Sequence, residues 1–558
     1  MWFKQFVILG MGFLFIGNLV FAQGQHTMFA GKTIRQIHIE TLDPYGYSIN
    51  DTAHIAQNYL FRTGNKWHVK TRANIIRNLL LFSQNQPLDA LVIKESERLV
   101  RSMNFVHDVS FIVAETEKNS DSVDVFIRVL DRWSIIPLGS ITSSGTSIDL
   151  IEKNFLGFGH EIQTLFNRDF NRKKNSYAAT YSIPNIGNTY IGSQFHYAFD
   201  DYKNFNRSLL VERPFFSPLT KWAAGINLIN EHHNDTILTP ILHYLPQQFK
   251  VNVYNFWGGY ALPLIHDHPK HNRSTNFIAT IRYLRVHYSE KPIETAGSQN
   301  YYSNENYYLT SFGLSKRKYV QDHYIFRFGI IEDVPIGKVI SITAGLQQRN
   351  NAIRDYLGAR VSFGNYYPWG YLSTNFEYGA FSILSHNEQG IVKAGATYFT
   401  NLFNIDQWKF RQFIKPELTI GLNRFLTDSL TINDGYGLDG FNSPTLFGTN
   451  RLLLTLQTQA YAPGSILGFN FGPYFIYSMG MLGNAENKLV NSKLYSQIGL
   501  GVLIRNESLV LITLQLSVAY YPEIPGRGEN IFKFNAFKTA DFGFQDFQIG
   551  QPATVEFR

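Results

Sequence analysis

The stretch YSQIGLGVLIRN, Tyr495 to Asn506, alternates without a break. Drawn out as a strand, it places Ile498, Leu500, Val502 and Ile504 on one face and Gln497, Gly499, Gly501 and Arg505 on the other. One apolar face and one wet face is what a barrel wall in lipid requires, since the outside meets hydrocarbon and the inside a polar lumen. YIGSQFHYAF repeats the pattern, with Ile191, Phe195, Tyr197 and Phe199 opposing Gly192, Gln194, His196 and Ala198. From about residue 133 onward the chain reads as strand after strand, about twenty candidates by pattern counting, which bounds the strand number without fixing it. Closing such a sheet pairs every backbone N–H and C=O inside a bilayer, which an open sheet could not do.

Composition points the same way. Aromatic residues make up 15% of the chain, glycines number 43, and charged residues are held to 17%. No apolar run after the N-terminus is long enough for a spanning helix. A large soluble β-sandwich or propeller is the competing class. The net charge of +7 is spread out, with small clusters at 172 to 174 and 316 to 318. A nucleic-acid footprint would concentrate it, so solvated loops or contact with phosphate-bearing lipid headgroups account for the clusters. Cysteine is absent, which removes disulfides, thiolate metal sites and the lipid-bearing cysteine of a bacterial lipoprotein.

The first residues, MWFKQFVILGMGFLFIGNLVFA, combine one lysine, an apolar run and small residues at Val20 and Ala22, the pattern of a signal peptide over 1–22. A linker over 23–31 leads to a region, 32–131, of different texture. KTIRQIHIE reads as a strand, TRANIIRNLLLF as a helix, and PLDALVIKESERLVRSMNF as a second helix that Asp89 caps. That helix places Leu88, Leu91, Val92, Leu99 and Met103 on one face. Two strands, VHDVSFIVAE and SVDVFIRVL, follow.

That order, with SMNFVHDVSFIV placing Phe105 and Asp108 at pattern positions, resembles a polypeptide-transport-associated (POTRA) domain. Three further stretches resemble the BamA-type outer-membrane assembly and secretion superfamily. NFLGFGHEI, with Asn154, Gly157 and Gly159, is similar to the turn that opens its barrel. YSIPNIGNTYIG is similar to the segment after that turn. GYGLDGFNSPTLFGTNRLLL is similar to its sixth loop, whose signature positions fall on Leu438, Asp439, Gly440 and Phe441. The second position should be arginine and is Asp439. The aspartate that usually pairs with that arginine is replaced by Ser478, in FIYSMG, where Gly480 keeps the glycine. Changing both partners avoids stranding a charge in a confined lumen.

The resemblance implies a mainly β fold: a transmembrane antiparallel β-barrel of about 16 strands over 132–558, preceded by one small α/β POTRA-like domain in the periplasm. It implies a sixth loop folded into the lumen, and a seam between a first strand near Trp133 to Ser144 and a last near Ala553 to Phe557. It also implies insertion or translocation of polypeptides in the bacterial outer membrane. POTRA capture and strand addition at the seam would do the work, without cofactor. The partners would be unfolded outer-membrane or secreted polypeptides and outer-membrane lipid, with room for accessory lipoproteins and no role for nucleic acid. A solute-conducting pore and a structural scaffold are the rival classes. No signature of a hydrolase, zincin, P-loop or dinucleotide site occurs in its required setting, so no enzyme is expected. His266, His268 and the pair in EHHND read as loop histidines rather than metal ligands.

Overall fold

The computed structural model of the chain describes residues 27–49, 59–117, 120–142, 144–238, 244–264, 274–291, 302–349, 352–383, 386–425, 428–466, 469–484, 487–506, 514–535, 537 and 543–558. The expected signal peptide and His266 and His268 lie outside the described residues.

The small N-terminal domain has strand β1 (Thr33–Leu42), helices α1 (Tyr59–Trp67), α2 (Ala73–Arg77) and α3 (Ala90–Arg101), and strands β2 (Val106–Glu115) and β3 (Ser122–Asp131). Its sheet runs β1-β3-β2, with β3 parallel to β1 and antiparallel to β2. Val123, Val125, Ile127 and Val129 present one face to Ile76, Leu79, Leu88, Ile93 and Val100, which closes a dry core. The Asp89 carboxylate accepts from Leu91 N–H and caps α3. The first predicted helix shrinks to five residues. Past Arg77 the carbonyls of Asn78 and Leu79 turn outward to accept from Asn185 and Tyr190, so they are lost to further helix.

The rest of the chain is one closed antiparallel barrel, from Ile135–Ile141 to Gly528–Phe534. Its neighbours follow sequence order throughout, and it closes where those two strands meet. The three-residue strand Phe403–Ile405 pairs with Trp408–Leu422, as does the strand before it, so it continues that strand past a short break. The wall therefore has twenty staves among the described residues, more than the 16 expected from family resemblance. The faces sort as the alternation demands: Leu500 and Ile498 are exposed to the outside while Gln497 and Arg505 are buried inside.

The last strand lies earlier than the sequence suggests. Gly528–Phe534 closes the wall, and Ala553 to Phe557 pairs with no strand. Those residues belong to a C-terminal segment, 543–558, that runs in extended form along the inner wall.

A barrel this wide needs filling. Eight strands leave room only for side chains, whereas sixteen or more enclose a channel unless something occupies it. Among the described residues three inserts occupy it: the loop at 423–425 and 428–449, the turn 324–330 and the C-terminal segment.

Candidate functional site: the docked domain and the filled lumen

The small domain sits against the barrel turns at one end. Asn154 is the hub of that contact: its Nδ2 donates to Val69 O (3.3 Å) and Thr71 Oγ1 (3.0 Å), and its Oδ1 accepts from Gly159 N (2.8 Å). Gly157 O accepts from Arg72 N. Both glycines have positive φ, and a Cβ would strike Lys70 O from Gly157 and the Phe105 ring from Gly159. Phe105, Asn154, Gly157 and Gly159, drawn from two separate motifs, thus form one joint. Its job here is to fix the domain to the first barrel turn.

Helix α3 supplies the rest of the contact. Its inward face packs on the sheet, while Glu95, Arg98 and Arg101 are turned to the barrel, Glu95 and Arg101 buried there and Arg98 half-buried. Arg101 Nη1 holds both Asp333 oxygens at 2.9 and 2.8 Å. Arg98 donates to Phe216 O and lies over the Tyr319 ring, and Glu95 accepts from Ser217. Asp108 faces Arg101 at 4.0 Å, and burial raises its carboxyl above the usual range despite its bond from Val109 N–H and the nearby guanidinium. Burial, together with Arg505, Arg132 and Arg327, pushes His107 down to about 3, so a neutral imidazole sits among these cations.

Because turns alternate between the two ends, the segment 324–330 lies on the domain side and 423–449 on the far side. The domain-side turn folds inward. The Glu332 carboxylate accepts from the N–H groups of Ile325, Phe326 and Arg327 at 2.9 to 3.1 Å. Arg411, almost wholly buried, grips Asp322 at 3.0 and 3.2 Å and His323 O at 3.1 Å. None of these residues stands out in the sequence, since each is an isolated charge on an alternating strand.

The far-side loop also folds inward. Leu438 and Phe441 are 0% exposed, packed with Ile432, Leu453, Ile476, Tyr521 and Ile524. Asp439 contributes its backbone carbonyl, which accepts from Tyr521 Oη, and Gly440 O accepts from Lys533 Nζ (2.7 Å). The φ of +69° at Gly440 permits that path. Gly480 lies under the loop core, where a Cβ would press on Ile432 and Leu453 at 3.2 to 3.3 Å. Ser478 instead bonds across the sheet to Thr455 (3.4 Å) and is not brought to Asp439. The histidines of EHHND pack on neighbouring strands, His232 on Phe205 and His233 against Phe249.

Sequence reasoning missed the third insert. Arg360 donates to Asp546 O and Gln548 O, Ser315 Oγ to Phe547 O, Arg282 to Pro552 O, and Arg451 to Arg558 O. Arg424 lies 3.9 Å over the Phe557 ring. The signal that could have found it is the row of inward arginines on successive strands, which need acceptors.

No family model matches the chain, and no curated protein matches it. Solved structures similar to it include BamA from Haemophilus ducreyi lacking POTRA domains 1–3, at 12% identity over 90% of this chain and 84% of that one, with a TM-score of 0.32. CdiB from Acinetobacter baumannii is similar at 10% identity over 90% and 73%, TM-score 0.42. CdiB from Escherichia coli is similar at 10% identity over 90% and 75%, TM-score 0.46.

Proposed function

We propose that this chain is an outer-membrane barrel that inserts or translocates polypeptides, with its small domain acting as a single periplasmic POTRA unit. One observation carries this over a standing solute pore: the lumen is filled from both ends while the barrel closes on its two shortest full staves. Ile135–Ile141 and Gly528–Phe534 have seven residues each. A spanning strand needs about 9–11. Strands such as Tyr244–Pro263, with 20 residues, stand far taller. A short junction has few ladder bonds to break, so this seam is where the wall gives way or accepts an added strand. Exposed Phe532, Phe534 and Ile141 there offer an apolar surface to a client strand.

In this reading β1 and β2, the two edges of the small sheet, take up an extended client by β-augmentation. The rigid joint through Asn154 and Arg101 holds that client beneath the barrel. Folding and burial of the client in lipid drive the process, with no nucleotide and no bond-breaking chemistry. The changed loop chemistry at Asp439 and Ser478 suits a specialised client set rather than a general assembly role.

The test is quantitative proteomics of outer membrane and medium after deletion of this protein from its host. Selective loss of barrel or secreted proteins is expected. An unchanged inventory would overturn the reading in favour of a solute channel or scaffold.

A further inference from the structure

The C-terminal segment is held in an unusual way. Five of the wall's hydrogen bonds to it end on its backbone carbonyls, those of Asp546, Phe547, Gln548, Pro552 and Arg558. A sixth runs the other way, from Val555 N to Tyr356 Oη at 2.8 Å. Arginine bonds to a carbonyl are charge-assisted and indifferent to the side chain beside it, so this part of the grip would hold any extended chain.

Selectivity comes from side-chain bonds of Arg317 to Asp546 and Gln548 and of Gln551 to Asn255, from the apolar seat of Phe547 and Ile549 among Phe215, Ile278 and Val339, and from three wall glycines. A Cβ at Gly364 would collide with the Phe547 ring, one at Gly379 would lie 3.1 Å from Val555 Cβ, and one at Gly421 would lie 2.9 Å from the Phe557 ring. Each missing side chain is a slot that a segment side chain fills. The segment adds no strand to the wall, so its departure breaks no ladder.

We infer that this inner face is a binding track for an extended polypeptide bearing aromatic or branched apolar side chains at the slots, and that residues 543–558 are its resident occupant, displaced by an incoming chain of that kind. The inference rests on the transport reading and names the luminal site by which a client would engage.

The native chain has no cysteine, so the pair Gly379→Cys with Val555→Cys yields a single disulfide that pins the segment when oxidised. The probe is a fluorescein-labelled peptide of residues 543–558, read by anisotropy on detergent-folded protein whose compact form is verified by heat-modifiable mobility. Protein lacking 543–558 should bind the peptide about tenfold or more tightly than the full chain, whose competent state is scarce. The oxidised pair should lose binding, and reduction should restore the level of the Gly379→Cys single variant, in which the slot is narrowed but the segment is free. A peptide with serine in place of Phe547 and Phe557 should bind the shortened protein more weakly. Folded shortened protein that ignores the peptide, or oxidised protein that binds it as well as reduced, overturns the inference.

A cell-level comparison separates the two readings. If the oxidised pair restores the client proteins of a deletion strain as fully as the native chain, the track is not on the client route and this inference falls while transport stands. If the peptide competes but deletion leaves the protein inventory unchanged, the transport reading falls and the track remains a peptide site.

Discussion

The loop 423–449 and the segment 543–558 fill the same lumen by different physics. The loop is glued by an apolar core, with Leu438 and Phe441 fully buried among Ile432, Leu453 and Ile524. The segment seats Phe547 and Ile549 on Phe215, Ile278 and Val339, but along most of its length it is pinned by arginines on carbonyls and by rings set over glycines. Apolar packing is lost only with the surrounding wall, whereas hydrogen bonds to an extended chain exchange one carbonyl for another at little net change. The difference separates a permanent filling from a replaceable one.

The largest effect should come from setting the two phenylalanines against each other. Phe441→Ala leaves a cavity in the loop core and should destabilise the whole barrel by about 3–5 kcal/mol, read as a lower urea midpoint. Phe547→Ala removes an equally buried ring, yet the segment can lift away instead of leaving a void. The stability read from its midpoint should move by under about 1 kcal/mol, while backbone amides of 543–558 lose protection from hydrogen exchange. Equal losses of global stability would erase the distinction.

The two inserts also differed in how well they could be read from sequence. The loop announced itself by glycines and low charge between strong strands. The segment reads as the end of a last strand because TVEFR sets an aromatic beside the end of the sequence, and in the structure it does alternate: Val555 and Phe557 both face wall glycines. A period of two reports an extended chain, not one with ladder partners. The strand number teaches the reverse lesson: the pattern tally of about twenty agrees with the twenty staves, while the figure of 16 came from family resemblance and is what the structure corrects. The joint at Asn154 was legible as two motifs. Their meeting, Phe105 on Gly159, depends on a fold that places residues 54 positions apart in contact, which no local pattern carries.

The joint offers a comparison with the lumen at somewhat smaller cost. Arg101 is nearly buried and its pairing with Asp333 spans domain and barrel. Arg101→Met should cost about 3 kcal/mol by leaving Asp333 and Glu97 without their cation. The double variant with Asp333→Leu should recover much of that. Neither should change hydrogen exchange in 543–558, and if either does, domain docking and lumen filling are coupled rather than separate devices.

A pH dependence should appear at the same joint. Burial pushes the Asp131 carboxyl up to about 6, although Thr71 N–H and nearby His68 favour its ionised form. Its unfolded value is about 3.9, so the folded state keeps the proton longer. The Asp131 contribution to stability therefore falls as pH rises from about 4 to about 6 and is constant above. Asp43 works in the opposite sense. Burial raises it, but hydrogen bonds from His68 and Lys70 outweigh that and hold it low, so its stabilising share is lost as pH falls below the usual carboxylate range. Exchange protection of domain-core amides such as that of Ile127, corrected for intrinsic rate, should decline between about pH 4 and about pH 6, the interval between the unfolded and folded values. Asp131→Asn should flatten that decline, and an unchanged slope would assign it elsewhere.

The smallest expected effect sharpens the comparison furthest, because it alters one hydroxyl on each side of it. Tyr521 donates to Asp439 O in the loop, and Tyr356 accepts from Val555 N in the segment. Each change to phenylalanine removes one hydrogen bond, worth about 1 kcal/mol. In the loop the freed carbonyl stays beside fully buried Phe441 and Leu438, so Tyr521→Phe should lower the stability read from the urea midpoint by about that amount. In the segment the freed N–H borders a polar cavity that Glu377 also lines, where an acceptor is within reach, so Tyr356→Phe should leave the midpoint in place. Its effect should show instead as faster exchange at Val555 and modestly stronger binding of added peptide. The two tyrosines would then report, for the same bond strength, whether the chain they hold is built into the barrel or resting in it.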